Sequence, residues 1–174
     1  IVNKKILFIQ PTIYDDNGVL LKKRKLYFVG LAHPLLSALL PEGWTSELCL
    51  EVIEDIPWDT ECDVIGIGGV GHAAKRAKDI AVEFKRRGKI VFMGGPMVSL
   101  IPEVAIEYCD SVMIGDSEET IADLCHDIEK NTLKKFYQKP LTKLSFPTPK
   151  YELVINKKIG HFLPVQAGRG CPNT

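Results

Sequence analysis

Four short runs of almost uninterrupted apolar residues, each stopped by glycine or proline, set the tightest limit on how this chain folds. They are Lys5-Ile6-Leu7-Phe8-Ile9, Asp63-Val64-Ile65-Gly66-Ile67-Gly68, Lys89 to Met93 and Ser111-Val112-Met113-Ile114. A strand that is apolar at every position is buried on both faces, as in a parallel sheet covered by helices. The segments between them carry a helical period instead. From His72 to Arg87, Ala73, Ala77, Ile80, Ala81 and Phe84 share one face, Lys75, Arg76, Lys78, Lys85 and Arg86 lie largely off it, and Gly88 closes the helix. Leu31 to Leu40 predicts another helix, with Pro34 in its first turn and Pro41-Glu42-Gly43 at its end. Pro102 to Tyr108 predicts a short one. Ile121, Leu124, Cys125 and Ile128 form the buried stripe of a last helix, for which Asp116 and Glu119 read as a variant capping box. Thr45 to Ile53 alternates as a half-buried strand does.

Helical crossovers between apolar strands imply an α/β fold, doubly wound, with helices on both faces. Five strands over residues 1–131 predict a flavodoxin-like (Rossmann-like) parallel sheet of order 2-1-3-4-5. Beyond residue 131 the pattern changes. Pro140, Pro147, Pro149 and Pro164 punctuate a stretch without helical period, and 132–174 reads as an extended linker, with Lys134 to Gln138 as a candidate edge strand.

Lys plus Arg equals Asp plus Glu at 22 each, so charge gives no reason to expect nucleic acid or an anionic membrane as partner. No apolar run approaches the ~18 residues that a membrane span requires. The start, Ile1-Val2-Asn3-Lys4-Lys5, has neither an initiator Met nor the apolar stretch of a signal peptide, which reads as a fragment of a longer cytoplasmic protein. The cysteines number five, an odd count with no C-x-x-C pair, which argues against a disulfide framework. Cys62 and Cys125 read as small buried hydrophobes.

Ligands of such sheets bind outside the carboxyl ends of the strands. Those ends are Pro11-Thr12-Ile13-Tyr14, Gly68-Gly69-Val70-Gly71, Gly94-Gly95-Pro96 and Gly115-Asp116-Ser117-Glu118. Glycine on three of the four lets a large ligand approach the backbone closely. Gly66-x-Gly68-x-x-Gly71 fits the dinucleotide pattern, but the next strand ends Phe92-Met93-Gly94-Gly95, without the carboxylate that holds a ribose. A phosphoacceptor domain would want an Asp where Gly68 stands. His33, His72, His126 and His161 share no metal-ligand spacing; His72, opening a helix at the binding edge, is placed to touch a ligand.

The stretch from Gly30 to about Glu129 resembles the cobalamin-binding domain that precedes the catalytic barrel of B12-dependent radical-SAM proteins. The resemblance is carried by Gly30-Leu31-Ala32-His33-Pro34-Leu35, Ala38-Leu39-Leu40-Pro41, Asp63-Val64-Ile65-Gly66-Ile67, Gly94-Gly95-Pro96 with Pro102-Glu103, and Ile114-Gly115-Asp116-Ser117-Glu118-Glu119-Thr120, in that order. Leu163 to Thr174, with Gly168-Arg169-Gly170-Cys171-Pro172, looks like the first barrel strand and cluster loop of the same proteins. That family holds a [4Fe–4S] cluster with C-x-x-x-C-x-x-C and uses it to cleave S-adenosylmethionine. The resemblance makes Cys171 the first cluster ligand; a lone cysteine does not hold a cluster.

The resemblance therefore implies that cobalamin is held by Thr12, Tyr14, Gly68, Gly69, Val70, Gly71, Gly94, Gly95, Pro96, Gly115, Asp116, Ser117 and Glu118. It implies a partner in the protein's own radical-SAM barrel, methyl transfer to an unactivated carbon, and no catalysis by this chain alone. One departure is clear. The D-x-H-x-x-G whose His ligates cobalt in several related domains is replaced by Thr12-Ile13-Tyr14-Asp15-Asp16-Asn17-Gly18, so the cofactor would be base-off with no His below it. A degenerate docking domain, with its edge filled and no groove, and a nucleotide- or flavin-binding module are the alternatives.

Overall fold

In the computed structural model, which describes residues 3–142 and 145–168, the strands form one parallel sheet. They are β1 (Lys4–Gln10), β2 (Trp44–Leu50), β3 (Val64–Gly68), β4 (Ile90–Gly94), β5 (Ser111–Met113) and β6 (Phe136–Tyr137). The order is β2-β1-β3-β4-β5-β6, so the sheet has six strands where five were expected. The first five follow the expected 2-1-3-4-5 order. The sixth is the candidate edge segment, which adds to β5 through Val112↔Phe136 and Met113↔Tyr137. Tyr137 is buried there, and its hydroxyl donates to Asp127 Oδ2 at 2.7 Å.

The helices are α1 (Ala32–Ala38), α2 (Ala74–Arg86), α3 (Pro96–Ser99), α4 (Pro102–Ala105), α5 (Ile121–Glu129) and α6 (Glu152–Ile155). Alternate strand residues feed opposite layers, as the pleat requires. Leu7, Ile9, Ile65, Ile67, Val91 and Met93 pack with Ala77, Ile80, Ala81 and Phe84 of α2. Ile6, Phe8, Val64, Phe92 and Met113 pack on the other side with Ile121, Leu124, Cys125 and Ile128 of α5. All five expected apolar positions of the segment opening α2 are buried, as are Cys62 and Cys125.

Two local expectations are corrected. The strand from Thr45 stops at Leu50, because Ile53 and Glu54 turn back to donate their N–H groups to the Leu50 carbonyl. The capping box at Asp116 does not form: α5 starts at Ile121 with Thr120 as its N-cap, and Glu119 instead accepts hydrogen bonds from Thr142. The stretch after Gly94 turns at once into α3, which Pro96 opens in the position where its missing N–H costs nothing.

Described residues beyond 131 pack back against the sheet. Val154 of α6 is fully buried, and Leu26 exchanges backbone hydrogen bonds with Lys158 and Gly160. Lys157 Nζ sits 2.6 Å from Glu54 Oε1. Among the described residues no helix is long and apolar enough to cross a membrane.

Gly66 is required by packing rather than by a ligand. It lies between Phe8 and Phe92, whose rings meet edge to face at 6.2 Å. A Cβ on Gly66 would stand 2.5 Å from Phe92 Cζ and 3.0 Å from Phe8 Cδ1. Gly66→Ala is therefore expected to cost about 1–3 kcal/mol through overpacking, read from the urea midpoint at unchanged slope.

Candidate functional site

A cavity of about 460 Å³ opens at the carboxyl edge of the sheet, within the size range of small-ligand sites. β1 contributes Phe8 and Gln10, and α1 with its approach contributes Gly30, His33, Leu35 and Leu36. The β3 side contributes Gly66 through Val70, with His72 and Ala73 beyond. From β4 and its loop come Phe92, Gly94 and Gly95, from β5 and its loop Met113 and Gly115 through Glu118, and from the C-terminal segment Gln166. The deep wall is apolar, made of Phe8, Leu35, Phe92 and Met113, and the polar groups are few.

Of the residues expected to bind a cofactor, Gly68, Gly69, Val70, Gly94, Gly95, Gly115, Asp116, Ser117 and Glu118 line this cavity, as does His72. Thr12, Tyr14, Gly71 and Pro96 do not. Thr12 is buried, its N–H bonded to Glu51 Oε2 at 3.0 Å and its hydroxyl to the Leu21 carbonyl at 2.6 Å. Tyr14 turns outward, donating to Asp79 Oδ2 at 2.6 Å and accepting from Arg76 Nη1 at 3.4 Å. The loop after β1 is thus fastened to α2 and to Glu51. Cys171 lies outside the described residues, and among those described no cluster of three or more His, Cys, Asp or Glu is placed to hold a metal ion.

The glycine-bearing loops interlock. Gly95 has φ +87° and ψ 177°, a conformation open essentially to glycine alone. An added Cβ there would lie 3.0 Å from the Gly69 carbonyl oxygen. That same oxygen accepts the Met97 N–H at 3.3 Å. Ser99 Oγ donates to the Gly95 carbonyl and accepts from the Gly115 N–H, each at 2.9 Å, tying the β4 loop to the β5 loop. Gly71, in contrast, has nothing within 4 Å of an added Cβ, so the third glycine of the G-x-G-x-x-G string has no packing role.

Among the cavity residues that sequence reasoning missed is His33. It is 7% exposed, faces Phe8 with ring centroids 5.6 Å apart, and its Nε2 would lie 2.9 Å from a Cβ on Gly68. It lies in the Gly30 to Leu35 run that carries the resemblance, but its spacing to the other histidines suggests neither a metal site nor a triad, so it was not assigned to the site. Burial lowers its pKa to about 4, which keeps the imidazole neutral at ordinary pH. The unfolded chain takes up a proton near pH 6.5, while the folded chain resists it down to about 4. Stability is accordingly unaffected by this group above pH 6.5 and falls as pH drops towards 4, by roughly 3 kcal/mol at most. His33→Phe is expected to flatten that part of the profile in urea titrations at stepped pH.

Comparison with known proteins adds the following. The chain is 32% identical over 167 residues to the bacteriochlorophyllide d C-8(2)-methyltransferase of Chlorobaculum tepidum, a match covering 91% of this chain and 36% of that protein. It is 31% identical over 128 residues to the bacteriochlorophyllide d C-12(1)-methyltransferase of the same organism, covering 68% and 28%. It is 26% identical over 170 residues to an uncharacterized methyltransferase of Synechocystis sp., covering 93% and 31%. No family model and no solved structure matches the chain. The chain spans about a third of the length of these relatives, and all three are named as methyltransferases.

Proposed function

We propose that this chain is the cobalamin-binding domain of a radical-SAM methyltransferase, presenting base-off cobalamin to a barrel that carries a [4Fe–4S] cluster and S-adenosylmethionine. The observation that carries the reading is the cavity at the carboxyl edge of the sheet, walled by the Gly68-Gly69, Gly94-Gly95 and Gly115-Asp116-Ser117 turns. A docking domain without cofactor would have that edge filled by side chains. Similarity to two enzymes named for methylation at a carbon of bacteriochlorophyllide d supports the methyl-transfer part.

The residues fit such a group. The glycines leave backbone where a Cβ would intrude, the apolar wall suits an aromatic base, and His33 and Ser117 add polar groups to the lining. When bound, cobalamin supplies a methyl group carried on cobalt. This chain's part is to hold and orient. Gly94, Gly95 and Ser117 admit the nucleotide tail, Gly68 through Val70 support the corrin edge, and the buried Glu51–Arg76 pair fixes the loop after β1. That loop holds no histidine to offer an imidazole, and its Tyr14 is turned towards Asp79. Cys171 would supply the first thiolate of the cluster, at the start of the barrel.

Metal and corrinoid analysis of the longer protein, purified without oxygen, tests the reading. A four-iron cluster and one corrinoid per chain are expected. Iron without corrinoid would return the docking reading, and corrinoid without iron would remove the radical-SAM half. A Cys171→Ala chain should lose the iron and keep the corrinoid.

A further inference from the structure

The chain is neutral as a whole, yet Lys22-Lys23-Arg24-Lys25 places its cations in a row, directly before Leu26-Tyr27-Phe28. This segment is fastened at both ends. The Lys23 N–H donates to the Val52 carbonyl at 2.7 Å, just past the carboxyl end of β2, and Lys22 Nζ donates to the carbonyls of Glu51 and Glu54. The Leu26 N–H donates to the Lys158 carbonyl at 3.0 Å and the Gly160 N–H to the Leu26 carbonyl at 2.8 Å, which lays Lys157 and Lys158 alongside. The fit is close: a Cβ on Gly160 would stand 2.6 Å from the Tyr27 carbonyl oxygen. Two distant stretches thus make one basic surface. Asp55 faces Lys22 and Glu54 faces Lys157, which leaves Lys23, Arg24, Lys25 and Lys158 without a carboxylate partner among the described residues. Beside them, Tyr27, Phe28 and Phe162 are 66%, 80% and 72% exposed, and Val19 and Leu21, just before the basic run, are exposed as well. Large apolar side chains left in water next to unpaired cations mark an interaction surface.

We propose that this surface seats the protein on an anionic lipid bilayer, with Lys23, Arg24, Lys25 and Lys158 among the headgroups and Tyr27, Phe28 and Phe162 in the interfacial layer. The inference is independent of the cobalamin reading. Equal totals of acidic and basic residues give no general attraction to a polyanion, but a membrane responds to local charge. Its surface field fades within a Debye length, so only the cations held close to it count. Charge alone binds weakly, and stable seating takes a second signal. The exposed rings supply it, since an aromatic side chain gains by leaving water for the headgroup and acyl boundary. The same mixture favours a bilayer over a nucleic acid. Bases stack on aromatic faces, which Val19 and Leu21 lack, whereas aliphatic and aromatic side chains alike gain from contact with lipid. Such seating needs no spanning segment.

The test is co-sedimentation of the longer protein with vesicles of phosphatidylcholine alone and of phosphatidylcholine mixed with an equal part of phosphatidylglycerol, at low and at high salt. Binding to the anionic vesicles is expected to be tighter by ~10-fold or more, with the margin shrinking as salt screens it. Lys23→Glu, Arg24→Glu and Lys158→Glu combined should abolish that margin, and Phe28→Ser should weaken binding by ~10-fold at either salt concentration. All four positions are exposed, so the fold should tolerate these changes. In a Phe28→Trp protein, the added emission should move to the blue with anionic vesicles. No binding, or equal binding to both kinds of vesicle, would overturn the proposal, and the native protein alone decides this. Anionic binding that survives the triple substitution would also overturn it, by placing the contact elsewhere. Vesicles bound by this chain and not by the longer protein would mean that the remainder covers the surface, which overturns it too. An oligonucleotide that strips the protein from anionic vesicles at equal phosphate concentration would assign the surface to nucleic acid instead.

Discussion

Gly95→Val is expected to lose cobalamin binding by ~100-fold or more, equivalent to about 3 kcal/mol, and to lower stability by about 2–4 kcal/mol. Two costs combine. A β-branched residue is forced into φ +87°, ψ 177°, and its Cβ meets the Gly69 carbonyl oxygen at 3.0 Å. That carbonyl is held by Met97 N–H, so the β3 loop cannot yield without releasing α3. Both loops are walls of the cavity, and a shift of either narrows it. Gly115→Ala provides the comparison. Its φ is +75°, yet nothing lies within 4 Å of the added Cβ, so only about 1 kcal/mol of strain is expected. Thermal unfolding and co-elution of cobalamin on gel filtration measure the two effects separately. A Gly95→Val chain that binds cobalamin as the native chain does would remove these loops from the site.

Glu51→Ala carries the largest expected loss of stability, about 3–5 kcal/mol. Glu51 is 1% exposed and serves two partners at once. Oε1 accepts from the Arg76 guanidinium, with Nε at 2.9 Å, and Oε2 accepts the Thr12 N–H at 3.0 Å. Truncation leaves a mostly buried cation and a buried amide without partners, which costs more than the intact pair contributes. Glu51→Gln retains the shape and an acceptor and should cost about half as much. Glu51→Leu combined with Arg76→Met should recover most of the loss, because it removes both charges together. Urea unfolding of the four chains measures this. A loss below about 1 kcal/mol in Glu51→Ala would mean that the loop after β1 does not depend on the pair.

The sheet could be read from the sequence because each inner strand is apolar throughout, which leaves few alternatives for Ile6 to Ile9 or Val64 to Ile67. The helix containing Ala77, Ile80, Ala81 and Phe84 was equally plain, since its period and its polar face agree. What could not be read depends on partners distant in sequence. Thr12 and Tyr14 sit at a strand's carboxyl end, where ligands bind, but Glu51 and Asp79 claim them from 39 and 65 residues away. His33 becomes a cavity residue only because α1 lays it between Phe8 and the bare backbone of Gly68. The capping box at Asp116 was a correct local pattern overridden by the turn through Ser117, whose carbonyl takes the Thr120 and Ile121 N–H groups. The glycine-bearing turns were legible as a group, and nine of the residues proposed for the site line one cavity. Why each glycine is glycine was not legible: Gly66 yields to two phenyl rings, Gly68 to an imidazole and Gly95 to a carbonyl.

The central claim is that the carboxyl edge of this sheet holds cobalamin. Its most direct test is titration of the purified chain with hydroxocobalamin, followed by gel filtration and a visible spectrum of the protein peak. Cobalamin that co-elutes with the chain and shows a base-off spectrum is the predicted result, with the nucleotide tail taken into the cavity and no protein histidine in its place. A colourless protein peak after incubation at tens of micromolar would contradict the claim and leave the cavity to another ligand or to the rest of the protein.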